Sequence, residues 1–243
     1  MSERIDRVII TGASSGIGLD LAQRFLREGS RIIINARDSE KLARVRASLG
    51  SPERVFAVPG DVGDPATALR LAEAAKLHFD GLDVLVNNAG IFAIKPFLET
   101  ADADLDAFYE TNLKGTFLVS RALTPLLIAS GGGSIINLGT VLVEQPNQAL
   151  HASAAMTSKG GVHAFTRSLA AELAQHRVRV NAVAPGIIRT PLIGDAADSL
   201  AGLHPLGRVG EVDETSDAVL LLARSGFVTG TILNVDGGYA HAR

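Results

Sequence analysis

Between a run of branched apolar residues, Val8-Ile9-Ile10-Thr11, and a four-residue recurrence of Ile17, Leu21 and Phe25 lies the segment Thr11-Gly12-Ala13-Ser14-Ser15-Gly16-Ile17-Gly18. Three glycines alone are a weak signal, but here they join a buried-strand pattern to an amphipathic-helix pattern at the start of a β–α–β unit. Glycine lacks a Cβ, so the turn can be tight and its main chain can come close to a pyrophosphate. The helix that follows offers unpaired N–H groups and the positive end of its dipole at the same spot. Such a turn suits the binding of a dinucleotide; an ordinary Gly/Ser turn is the alternative. Other chemistries are excluded by residue type. The chain has no cysteine, which removes disulfides, thiolate catalysis and thiolate metal sites. No His/Asp/Glu cluster has metal-ligand spacing, so no metal is expected, and His78, His163 and His176 read as ordinary helical residues.

Elements to hold that turn alternate along the whole chain. Val8 to Thr11 is the first strand, and the Ile17/Leu21/Phe25 helix ends near Gly29. Arg31 to Ala36 is a second strand, Leu42, Val45 and Leu49 mark a second helix, and Val55 to Val58 is a third strand. Asp64-Pro65 reads as an N-cap followed by proline at the first helical position of a helix running to about Phe79. Leu82 to Asn87 is the fourth strand, Leu105 to Leu127 a long helical region and Ser134 to Leu138 the fifth strand. Val162, Phe165, Leu169 and Leu173 mark another helix, and Val178 to Val183 and Ile232 to Val235 complete seven strands. Unbroken alternation predicts an α/β fold: a single Rossmann-type doubly wound domain over 1–243, its seven-stranded parallel sheet covered by helices on both faces. Residues 187–210 read as a loop with weak helical content.

From the glycine turn onward the sequence resembles the short-chain dehydrogenase/reductase family, and the likeness covers nearly the whole chain. The turn matches that family's Thr-Gly-x-x-x-Gly-x-Gly motif. Asn87-Asn88-Ala89-Gly90 is similar to its motif after the fourth strand, and Asn112-Leu113-Lys114-Gly115 to the segment holding its active-site asparagine. Pro185-Gly186-Ile187-Ile188-Arg189-Thr190 and Asn234-Val235-Asp236-Gly237-Gly238 match two further motifs, in the family's order. The resemblance implies an NAD(P)-linked alcohol–ketone oxidoreductase working as a homo-dimer or homo-tetramer. It implies that Gly12, Ser14, Ser15, Gly16, Ile17 and Gly18 meet the pyrophosphate and ribose, and Asp61 and Val62 the adenine. Asn88, Ala89 and Gly90 would line the middle of the cofactor, with Lys159, Pro185, Gly186, Ile188 and Thr190 toward the nicotinamide. At the end of the second strand a carboxylate would favour NAD, because it accepts ribose hydroxyls and repels a 2′-phosphate. Ala36 stands there instead, followed by Arg37, whose guanidinium can pair with a phosphate. NADP is therefore favoured over NAD, with Asp38 close enough to matter and an exposed, unengaged Arg37 as the alternative.

The family's catalysis rests on Ser, Tyr and Lys, with the asparagine holding a water relay. Lys159 matches the lysine and Asn112 the asparagine, while Thr140 stands at the serine position and can donate the same hydrogen bond. Four residues before Lys159, where the tyrosine belongs, stands Ala155, and no tyrosine lies between Tyr109 and Tyr239. General acid–base catalysis supplies about 10²–10⁴-fold in rate, roughly 3–5 kcal/mol of barrier. The segment from Thr140 to Lys159 is about two residues longer than the family's usual one. Within it His151 is a substitute acid, imidazole being the side chain suited to proton exchange at neutral pH. Ser153 is a proton relay or a helix N-cap, Tyr239 a visitor to a neighbouring subunit or a surface group, and Lys159 with an Asn112-held water a fourth candidate.

These residues predict hydride transfer between a nicotinamide and a small carbonyl or alcohol substrate. A nucleotide-binding protein with weak or no catalysis is the alternative, and a lyase- or isomerase-like reaction on the same fold a third reading. Residues 190–210 are expected to cover the substrate, with Leu192, Ile193, Leu200, Leu203 and Leu206 as an apolar lining or as surface packing, and His204 and Asp195 as surface groups. The net charge of −3 gives no basic surface for nucleic acid, and no apolar run is long enough for a membrane span. With a charged N-terminus in place of a signal peptide, the expected location is the cytoplasm.

Overall fold

The computed structural model describes residues 5–194 and 198–241. Among them seven strands form one parallel sheet in the order β3-β2-β1-β4-β5-β6-β7. These are β1 (Arg7–Thr11), β2 (Arg31–Ala36), β3 (Val55–Pro59), β4 (Val84–Asn87), β5 (Gly133–Leu138), β6 (Val178–Pro185) and β7 (Ile232–Val235). The helices are α1 (Gly16–Arg27), α2 (Ser39–Leu49), α3 (Pro65–Phe79), α4 (Asp102–Phe108), α5 (Gly115–Ala129), α6 (Ser153–Leu173) and α7 (Val212–Arg224). Residue alternation explains the layers. Val8, Ile10, Ile32 and Ile34 point to one face, where Leu21 and Phe25 of α1 and Val219 and Leu222 of α7 close over them. Ile9 and Ile33 point the other way, against Leu71 and Phe79 of α3 and Val119 and Leu123 of α5. The doubly wound sheet predicted from the alternating patterns is present.

Element ends differ from the sequence reading where tertiary partners intervene. The fourth strand starts at Val84 because Asp83 turns its carboxylate to the amides of Asp6 and Arg7 and to the Arg7 guanidinium. β6 runs on to Pro185 because Ala184 and Pro185 pair with Asn234 and Val235 of β7. Asp64 caps α3 as expected, its carboxylate accepting from the Ala66 amide at 2.9 Å, with Pro65 first in the helix. Ser153 is the first residue of α6 and not its cap; the cap position is Ala152, which has no side-chain acceptor. The helical region around Leu105–Leu127 is interrupted by a π turn, Tyr109–Lys114, and this wider turn carries Asn112.

Two residues expected at the surface are buried. His204 is 4% exposed and its Nε2 accepts from the Ile187 amide at 3.1 Å, which fixes the start of the segment after β6. Tyr239 is 3% exposed, packed with Val141 and Ala184 and tilted against the His204 ring, so it does not reach outward to a neighbouring subunit. Burial raises its phenol above the ordinary tyrosine value. Asp195 lies outside the described residues. No helix among the described residues is long and apolar enough to cross a membrane.

Candidate active site

The strand order places the ends of β1 and β4 side by side, with chain connections leaving them in opposite directions. Open α/β sheets bind ligands in the crevice at such a point. Four hydrogen bonds and a close approach build its floor. The Thr11 hydroxyl accepts from the amides of Asn88 and Ala89 at 3.1 and 3.0 Å, and the Asn88 side-chain amide donates to the carbonyls of Thr11 and Gly12 at 2.9 and 3.0 Å. Gly12 has φ +66°, and a Cβ there would stand 2.8 Å from the Ala89 Cα and 2.9 Å from its nitrogen. Glycine is required on both counts. Gly16 also has positive φ, and Thr190 lies over it, 3.3 Å from where its Cβ would be. The first bond into α1 runs from the Leu19 amide to the Ser15 carbonyl, and Ser15 as N-cap makes no side-chain bond. The amides of Gly16, Ile17 and Gly18 therefore face the crevice at the positive end of the helix, as a dinucleotide's phosphates require.

The rest of the predicted cofactor set is distributed along the same edge. Ala36 is buried at the end of β2 and Arg37 is exposed, with no ion pair among the described residues. Asp38 is committed elsewhere: its carboxylate accepts from the Lys41 amide at 2.9 Å and caps α2. Val62 is buried, and the Asp61 carboxylate accepts from the Gly63 amide at 2.9 Å. Gly90 is open beside Asn112 and Lys159: its Cβ would lie 3.2 Å from Asn112 Oδ1 and 3.3 Å from Lys159 Nζ. Pro185 ends β6, and Gly186 lies between the His204 ring and Asp236. Ile188 turns its side chain to Gly210, with which its backbone forms an isolated bridge. Crevice and residues fit a nicotinamide dinucleotide.

Helix α6 pins the turn after β5 from two points. Lys159 Nζ donates to the Leu138 carbonyl at 2.6 Å. One helical turn further on, His163 Nε2 accepts from the Thr140 amide at 3.4 Å, an approach that works because Gly139 has no side chain to collide with the ring. His163 is thus a support for Thr140 rather than an ordinary helical residue; burial lowers its pKa and keeps it the neutral acceptor. Sequence spacing put His163 four residues after Lys159, but nothing in it showed that Gly139 would receive the ring. The Thr140 hydroxyl donates a long bond of 3.5 Å to the Pro185 carbonyl and accepts from the Leu142 amide at 3.3 Å. Asn112 holds the Ile91 backbone through both ends of its amide and donates to the Ser158 hydroxyl at 3.0 Å. Ser158 in turn donates to the Ala155 carbonyl at 2.7 Å, a partner the sequence reading did not single out.

Ala155 itself is sealed in. It is 1% exposed among Phe108, Ala152, Ile91 and Phe92, an apolar cluster where the family pattern has a phenol. His151 lies elsewhere: exposed, its carbonyl accepting from the Lys95 amide at 2.6 Å, its ring lining a cavity of about 660 Å³ with Met156 and Thr157 of α6. Ile193, Leu200 and Leu203 form a separate cluster with Ile187 and Val209, while Leu192 and Leu206 are exposed, so none of the five leucine and isoleucine side chains expected over the substrate lines that cavity.

Desolvation lowers the Lys159 ammonium to about 8. Between that value and the ordinary 10.5 the unfolded chain holds the proton and the folded chain has lost it, so stability rises with pH across this window. The ligand-free protein is expected to gain on the order of 1–3 kcal/mol between pH 8 and 10. Thermal melts along that series should show the rise, and Lys159→Met should flatten it; an equal rise in the variant contradicts the assignment.

Residues 12–240 match the family model described as Enoyl-(Acyl carrier protein) reductase. The chain is 40% identical over 238 residues to galactitol 2-dehydrogenase (L-tagatose-forming) of Cereibacter sphaeroides, covering 95% of this chain and 93% of that protein. It superimposes with TM-score 0.91 and 30% identity on L-sorbose reductase from Gluconobacter frateurii complexed with NADPH and L-sorbose, over 100% of both chains. With 3-ketoacyl-(acyl-carrier-protein) reductase from Brucella melitensis complexed with NADH the TM-score is 0.90 at 30% identity, over 97% of this chain and 98% of that one. Glycine turn, pinned asparagine motif, Thr140, Lys159 and full-length likeness converge on one assignment: the chain belongs to the short-chain dehydrogenase/reductase family of nicotinamide-dependent oxidoreductases.

Proposed function

We propose that the whole chain acts as one NADP(H)-preferring oxidoreductase unit that reduces a carbonyl compound, or oxidises the corresponding alcohol, with His151 supplying the proton that the family's tyrosine otherwise handles. The observation that carries the reading is the convergence of the glycine turn, Thr140 and Lys159 on one edge of the sheet. When bound, reduced nicotinamide supplies a hydride to the carbonyl carbon. The carbonyl electron pair moves to oxygen, and that oxygen takes a proton from the His151 imidazolium, leaving neutral imidazole. Leu142, two residues after Thr140, lines the His151 cavity, so the Thr140 hydroxyl, once released from its long bond to Pro185, is the second donor to that oxygen. Lys159 and His163 hold the turn that carries Thr140, and Asn112 holds the Ile91 backbone opposite.

The preference for NADP rests on the end of β2. Ala36 has no carboxylate to repel a 2′-phosphate, Asp38 is held as a helix cap, and Arg37 is free to pair with one. Arg37→Ala is expected to weaken NADPH binding about tenfold or more and to leave NADH within about twofold; calorimetric titration with both nucleotides decides it, and an unchanged ratio contradicts the preference. Self-association into a homo-dimer or homo-tetramer is supported by the exposed Phe117 of α5, which pairs with Phe165 of α6 and carries Arg121 over its ring.

A further inference from the structure

The cavity beside α6 differs from what a sugar alcohol needs. Its walls are mostly apolar: Leu142, Val143, Pro146 and Leu150 come from the lengthened segment before α6, Met156 from the helix, and Phe97 from the facing loop. Four polar side chains also reach it, and two are already engaged. Asn147 Oδ1 accepts from the Ala149 amide at 2.8 Å, and the Thr157 hydroxyl donates to the Ser153 carbonyl at 3.0 Å. The His151 imidazole and the Ser153 hydroxyl remain, with no hydrogen bond among the described residues and only one residue between them. The cavity therefore has mostly apolar walls with two side chains, separated by one residue, whose polar atoms have no partner among the described residues, and its volume of about 660 Å³ suits a ligand larger than a short polyol.

We infer that this cavity takes a carbonyl compound, or its alcohol, with one oxygen function at the His151–Ser153 end and a bulky apolar body against Leu142, Val143, Leu150 and Phe97. The inference rests on the proposed oxidoreductase reading for the identity of the reacting group, but the apolar binding stands on the cavity alone. A polyol would have to place its further hydroxyls against carbon walls, and each one left unpaired costs about tenfold or more in affinity. The segment between Thr140 and α6 is then the specificity element: it supplies most of the apolar wall and, at its end, the group that exchanges the proton.

The test uses benzylacetone as the apolar probe and D-fructose as the polyhydroxylated one, in two readouts. Calorimetry measures binding of each to the full chain with and without NADPH, and NADPH oxidation measures turnover. Benzylacetone is expected to bind more tightly than D-fructose and, where turnover is seen, to show kcat/KM at least about a hundredfold higher. Phe97 stands 74% exposed at the rim, so Phe97→Ala leaves the fold intact; it is expected to weaken benzylacetone binding, or raise its KM, about tenfold with kcat within about twofold. Tighter binding or faster reduction of D-fructose overturns the inference. So does failure of benzylacetone to bind, or binding that Phe97→Ala leaves unchanged. Benzylacetone binding with no turnover supports the apolar site and counts against the oxidoreductase reading alone; failure of NADPH itself to bind does the same.

Discussion

Gly12→Ala is expected to reduce nicotinamide-nucleotide affinity by more than about a hundredfold while the protein still folds. Two effects add. Gly12 has φ +66°, a region that costs an L-residue about 1–2 kcal/mol. The new Cβ also meets the Ala89 backbone at 2.8–2.9 Å and the Asn88 side-chain amide at 2.9 Å, the group that pins the turn to β4. Backbone against backbone leaves no flexible end to move, so the turn must shift, and the amides aimed at the pyrophosphate shift with it. Gly50 provides the control. It has the same φ of +66°, but nothing lies within 4 Å of its Cβ position. Gly50→Ala should lose similar stability in thermal melts and bind nucleotide like the native chain. Equal binding by both variants contradicts the role given to the Gly12 turn.

His151→Ala is expected to lower kcat for carbonyl reduction by about 10²–10⁴-fold, the usual loss on removing a general acid, with nucleotide affinity unchanged. The side chain is exposed and its structural bond is made by the backbone carbonyl to the Lys95 amide, so the fold does not depend on the ring. Ala155 cannot take over, and neither can its immediate surroundings: Phe108, Ile91, Phe92 and Ala152 are hydrocarbon. Among the described residues lining the cavity His151 carries the one imidazole, and no carboxylate or amine lines it. Steady-state kinetics with benzylacetone, alongside nucleotide titration, separates the catalytic loss from a binding defect. A variant with native kcat returns the proton transfer to Lys159 and its surroundings.

Much of the fold was legible because it depends on local patterns. Continuous apolar runs such as Ile32-Ile33-Ile34 mark strands buried on both faces, and the four-residue recurrence through Leu21 and Phe25 marks a helix with one apolar side. The nucleotide crevice was legible because its parts sit at strand ends in a fixed order, and because glycine at Gly12 is demanded by geometry. The supports of the site were not. His163 serves Thr140 only because Gly139 leaves room for its ring, and Ser158 meets Asn112 only because the π turn brings that amide to α6; neither relation is periodic in sequence. His204 and Tyr239 look like surface groups beside Pro205 and Gly238, yet the segment after β6 folds His204 inward onto Gly186 and the turn after β7 folds Tyr239 onto Val141. The apolar residues of 190–210 were ambiguous between covering a ligand and packing together, and Ile193, Leu200 and Leu203 pack together. The cavity beside α6 was hidden for the same reason: its walls are assembled from segments as distant as Phe97 and Met156.

Nucleotide-dependent chemistry in this chain requires the amides after β1 to receive a dinucleotide. Isothermal titration of the native chain with NADPH and NADH tests this most directly. One site per chain is expected, with NADPH the tighter ligand and the heat lost in Gly12→Ala but kept in Gly50→Ala. No saturable heat from either nucleotide at millimolar concentration would contradict it.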